Sequence, residues 1–184
     1  LAVWAVVYLM PCSMKSVVPQ NRRSAGLIRL AFILLAAGDT GHVGFRVAAN
    51  LLGGTNTQVN ILGIPMSLIG LGMLTTSYTV TLFYMVFVYI WKARFNQTSN
   101  WVTNLVLTAG ALRLFFMALP GNDWGNLVPP QPMSLYRNLP LVIQGIGIIG
   151  LILYSAYKAN DTTFKWIGWM VMVSYAFYVP VILF

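Results

Sequence analysis

Of the 184 residues, 58% are hydrophobic and 8% charged, and the mean hydropathy is +0.75; a soluble domain averages about 45–50% apolar and about 25% charged, so a soluble globular fold is excluded. The 11 Lys and Arg against 3 Asp and Glu give a net charge of +8. These cations sit at the ends of apolar runs and not along one stripe, which points to topology marking and anionic lipid headgroups and excludes nucleic acid as a partner.

Crossing a hydrocarbon core of about 30 Å takes roughly 20 apolar helical residues. Runs of that kind predict an all-α fold: one polytopic transmembrane helix bundle over residues 1–184, with about six membrane-spanning helices, the first and last expected to be truncated. The first run, Leu1 to about Cys12, ends at Pro11 and the polar stretch Ser13–Ser24. The second, from about Ala25 to Leu52, closes on Gly53-Gly54, a helix-stop signal. A third run from near Ile61 to Trp91 is long enough to tilt or to kink at Pro65. The fourth, Trp101–Leu119, has Ser99 or Asn100 as its expected N-cap and stops at Pro120-Gly121.

A Pro-rich connection, Gly121–Tyr136, holds Trp124, Pro129, Pro130 and Pro132 and reads as an ordered interfacial loop. The fifth helix is expected to start between Asn138 and Pro140, where Pro is tolerated in a first turn, and to end at Lys158. Asp161 or Thr162 is placed to cap the sixth, Phe164–Phe184.

One set of loops and helix ends carries Lys15, Arg22, Arg23, Arg29, Lys92, Arg94, Lys158 and Lys165. The positive-inside bias assigns these basic loops to the cytoplasm and both ends of this multi-pass chain to the opposite side. Asn96-Gln97-Thr98 and Asn160-Asp161-Thr162 match the glycosylation pattern but fall on the cytoplasmic side in that topology.

The second run carries the most informative segment, Ala37-Gly38-Asp39-Thr40-Gly41-His42-Val43-Gly44-Phe45-Arg46, with Asn50 one turn on. At about 100° per residue, Asp39, His42, Arg46 and Asn50 fall within about 80° of arc. A charge at membrane depth costs about 2.5–3.5 kcal/mol on insertion scales, so Asp39 is expected to face the bundle interior with a partner, His42 being nearest. Asp39 and His42 are thus the candidate catalytic acid–base pair.

Arg46, Arg113 and Arg137 are the basic residues expected in the outer half, each near the outer end of a different helix, with Asp123 in the adjoining loop. Tyr136, Arg137 and Asn138 precede Pro140 where free backbone N–H groups favour an anion, and Gln144 lies on the same face as Arg137, one level deeper. The candidate ligand-binding set is therefore Arg46, Asn50, Arg113, Asp123, Tyr136, Arg137 and Gln144. Arg clamps suit phosphate or carboxylate oxyanions, so the expected ligand is an anionic lipid headgroup or small amphiphile, with a lipid-acting enzyme as one form of that reading. The competing readings are a proton-coupled transporter or channel using Asp39 and His42 as a relay, and a structural subunit of a larger membrane complex whose polar stripe is a buried network.

The glycines at 38, 41 and 44 and the Thr75–Thr79 run read mainly as helix packing and interhelical hydrogen bonding. One His and the single Cys12 argue against haem, zinc and iron–sulfur ligation, so no cofactor or metal is expected. Gly-rich nucleotide loops, nucleophile elbows and HExxH are missing from the sequence. Membrane lipids are the expected partners, and an oligomer or larger assembly stays open.

Overall fold

Helix-stop and capping chemistry sets the boundaries of the elements in a computed structural model that describes residues 2–61, 63–125 and 131–183, with side chains to Pro180. Six α-helices form: α1 (Ala2–Met14), α2 (Arg22–Leu51), α3 (Leu68–Phe95), α4 (Trp101–Ala118), α5 (Met133–Lys158) and α6 (Thr162–Leu183). The fold is all-α but for a small antiparallel hairpin, β1 (Gln58–Ile61) and β2 (Ile64–Ser67). Among the described residues four helices, α2 to α5, are long and apolar enough to cross a membrane, which marks the chain as an integral membrane protein. By contrast α1, with 13 residues, reaches only about 20 Å at 1.5 Å per residue.

Several boundaries differ from expectation. Pro11 lies inside α1 without ending it. The third helix starts at Leu68, not near Ile61, and Pro65 sits opposite Asn60 in the hairpin and not at a helix kink. Gly63 at φ +84 interrupts any helix there, and the residue before a proline is driven out of the α region. Ser67 then caps α3 by accepting from Gly70 N at 2.8 Å. Helix α5 begins at Met133, a turn ahead of expectation, and holds Pro140 in its interior. Pro140 has no N–H, so the Tyr136 carbonyl loses its helical donor. Asn100 caps α4 through a capping box with Thr103, and Asp161 caps α6 by accepting from Phe164 N at 3.1 Å. Pro129 and Pro130 of the expected loop, with Leu1 and Phe184, lie outside the described residues.

The helices pack mostly in chain order: α1 on α2, α2 on α3, α3 on α4 and α5, α4 on α5, and α5 on α6. Lipid tails are as apolar as leucine, so close packing and not water exclusion drives such association. Tyr84, Phe87, Val88 and Trp91 of α3, Val106 of α4, Leu141, Ile148 and Ile152 of α5, and Phe164 and Tyr175 of α6 form the core. A Cβ added at Gly38 or Gly41 would collide with Thr79 or Thr75 of α3, and one at Gly72 would press on the backbone at His42. The backbones of α2 and α3 therefore approach closely, and Thr76 Oγ1 donates to the Gly38 carbonyl at 3.1 Å.

At the end bearing most of the Lys and Arg, Arg94 ties three elements together. It pairs with Asp161 at 2.6 Å and donates to Asn21 Oδ1 at 2.9 Å. The candidate ligand residues Arg113, Asp123, Tyr136 and Arg137 lie toward the other end.

Candidate anion site

Two connections, α2–α3 and α4–α5, build the end of the bundle opposite Arg94. Helix α4 stops at Ala118, and a 3₁₀ turn, Pro120–Asn122, brings the chain back over the start of α3. There the Trp124 carbonyl accepts from Ser67 N at 3.2 Å and from Ser67 Oγ at 3.1 Å. Gly70 makes this approach feasible, since a Cβ there would overlap the Trp124 carbonyl. The Trp124 indole donates to the Met117 carbonyl at 3.3 Å, so the loop is fixed to α4 as well.

Arg113 of α4 is 1% exposed. Its Nε donates to the Arg137 carbonyl of α5 at 3.0 Å, and its Nη1 to Thr81 Oγ1 at 2.7 Å and the Ser77 carbonyl at 3.3 Å, both on α3. The Tyr178 hydroxyl of α6 lies beside the same guanidinium. One guanidinium thus stands where four helices meet, and among the described residues every partner is a neutral oxygen. Hydrogen bonds of this kind satisfy the donors but leave the charge without a counter-charge.

Arg137, the second guanidinium, is 7% exposed. It stacks over the Trp124 ring at 4.5 Å and donates from Nη1 to Asn122 Oδ1 at 3.2 Å. Among the described residues Asn122 is its one hydrogen-bond acceptor, so most of the five N–H donors of this side chain stay available. Asn122 is held in turn by donating to the Phe116 and Leu119 carbonyls.

Gln144, fully buried on α5, lies one level deeper between Gly110 of α4 and Met85 of α3. Among the described residues neither its Nε2 nor its Oε1 has a partner. Below it, the Tyr175 ring covers Gly145 while its hydroxyl donates to the Val142 carbonyl at 2.8 Å.

The structure divides the nine sequence candidates into two groups. Arg113, Arg137 and Gln144 converge among α3, α4, α5 and α6. Asp123, exposed in the left-handed conformation at φ 44, and Tyr136, half exposed with its ring 6.2 Å from Phe116, border them. Asp39, His42, Arg46 and Asn50 stand apart on α2. The expectation that Asp39 faces the bundle interior is corrected: Asp39, Arg46 and Asn50 are exposed, and only His42 is partly buried. The reason is that α2 turns its small residues Gly38 and Gly41 toward α3, which rotates the charged stripe away. Asn122, Thr81 and Tyr178 were not singled out from the sequence. Asn122 carried a faint signal as the polar residue directly after the Pro120-Gly121 stop.

No protein-family model, curated protein or solved structure matches the chain.

Proposed function

We propose that this integral membrane protein binds an anionic lipid headgroup or small anionic amphiphile at the Arg137 end of the bundle. Arg137 makes the contact, Trp124 and Asn122 fix its plane, and Arg113 holds a second positive charge behind it. The observation that carries this reading is the burial of Arg113 among neutral oxygens only. Two guanidiniums at the same end, neither matched by a carboxylate among its contacts, make a positive field in a medium that screens charge poorly. A planar fork with open donors suits phosphate or carboxylate. From the Lys/Arg bias we also infer that this end faces away from the cytoplasm. The proposal is one of binding and includes no catalytic step, because Asp39 and His42 lie on another face.

The test uses phosphatidylcholine nanodiscs with a minor fraction of phosphatidylglycerol, read by native mass spectrometry of the released protein. The wild type retains phosphatidylglycerol preferentially. Arg137→Gln is expected to lower that retention about tenfold, equivalent to about 1.4 kcal/mol, and Arg137→Lys to give an intermediate value. An Arg22→Gln/Arg23→Gln variant controls for general headgroup attraction at the other end. Full retention by Arg137→Gln, with loss in the Arg22/Arg23 variant, would refute the site.

A further inference from the structure

The charged stripe of α2 presents a separate problem, independent of the anion site. Asp39, Val43, Arg46, Val47 and Asn50 are exposed, and among the described residues Asp39, Arg46 and Asn50 make no side-chain hydrogen bond or ion pair. His42, partly buried, lies on the edge of this stripe, where its backbone meets Gly72 of α3. Other sides of α2 meet neighbouring helices: Gly38 and Gly41 meet α3, and Thr40 accepts from the Trp4 indole of α1 at 2.7 Å.

Depth makes the exposure of Asp39 consequential. Helix α2 has 30 residues, about 45 Å at 1.5 Å per residue, and its apolar part is bracketed by Arg29 and Asn50. Asp39 stands about 15 Å from each, near the middle of a hydrocarbon layer about 30 Å thick. Arg46 lies about 10 Å nearer the hairpin end. A headgroup phosphate can reach Arg46 from that end but cannot descend to Asp39.

We infer that this face of α2 docks a transmembrane helix of a partner protein that carries a basic residue at the depth of Asp39. Positions 39, 43, 46 and 50 repeat at the spacing of a helix-packing seam. A second copy of the chain is the poorer occupant: a two-fold axis along the membrane normal keeps equal depths together, setting Asp39 against Asp39 and Arg46 against Arg46. A basic partner helix instead supplies the missing counter-charge, and an ionisable residue that faces lipid unpaired is otherwise disfavoured.

The experiment uses labelled polyleucine transmembrane peptides with Lys, Leu or Asp at the central position, and reads energy transfer to the labelled protein in phosphatidylcholine vesicles. The Lys peptide is expected to associate at least tenfold more tightly than the Leu peptide. Asp39→Asn should abolish that difference, and Asp39→Lys should shift the preference to the Asp peptide. Because Asp39 is exposed and its side chain makes no hydrogen bond or ion pair among the described residues, Asp39→Asn should keep the wild-type melting temperature. Equal binding of the Lys and Leu peptides overturns the inference, as does a Lys preference that persists in Asp39→Asn. So does a lowered melting temperature, which would mean that Asp39 is bound within the fold. Efficient self-cross-linking of a Val43→Cys variant without peptide would assign the face to a second copy and overturn it too.

Discussion

Replacing Gly70 with Ala tests whether the anion site depends on one close backbone approach. The new methyl group would land on the Trp124 carbonyl, with Ser67 Oγ a further 2.9 Å contact. Backbone cannot rotate aside as a side-chain tip does, so the loop carrying Trp124 must lift. Lifting breaks the two hydrogen bonds from Ser67, worth about 0.5–1.5 kcal/mol each. It also pulls the indole from beneath Arg137, a contact worth about 0.5–2 kcal/mol. The expected loss is therefore about 1.5–5 kcal/mol, less whatever Ala gains in helix propensity, about 1 kcal/mol. Thermal unfolding in detergent micelles reads the stability, and Trp124 emission reads the exposure of the ring. Gly150→Ala, where an added Cβ meets nothing within 4 Å, is the control and should be neutral or slightly stabilising. A Gly70→Ala protein as stable as the wild type, with unchanged emission, would refute the account of how the loop is seated.

Gln144→Leu removes two buried polar atoms that have no partner and should raise stability by about 1–2 kcal/mol. A fall instead would mean that water or a ligand occupies the amide in the working protein, detectable as a change in bound lipid. Asp161→Ala deletes both the α6 cap and the partner of Arg94. Its expected cost is about 2 kcal/mol, and Asp161→Asn should lose less because the amide still caps, a ranking that melting curves at low salt can check. For sidedness, a Cys12→Ser background lets single cysteines report: Gln97→Cys should resist an impermeant maleimide in intact cells while Asn56→Cys reacts, and the reverse labelling overturns the orientation.

Helix identity was legible because apolar length and capping residues act locally. Asn100 and Asp161 do at their helix ends what their side chains predict, and Gly53-Gly54 stops α2. Pro65 was misread because a long apolar run hides a hairpin that only Gly63 and the Ser67 cap betray. At about 100° per residue, Asp39, Arg46 and Asn50 do share one narrow arc, but periodicity says which residues face together and not which way they face. Gly38 and Ala49, about 80–100° away, mark the packed side, and the small residues carried that information. Arg113, Arg137 and Gln144 were identifiable as polar residues at depth. Their common meeting point was not, since it depends on α3 and α6 supplying Thr81 and Tyr178.

Because the helices pack nearly in the order of the chain, most contacts can form as each segment leaves the ribosome and enters the bilayer. Arg113 breaks that schedule. When α4 enters, the Ser77 carbonyl and Thr81 hydroxyl of α3 are already present, but the Arg137 carbonyl and Tyr178 belong to segments not yet made. The guanidinium must wait, half-satisfied, for α5 and then α6. Until the last helix arrives to close around it, the unfinished bundle therefore carries a guanidinium whose contacts are incomplete.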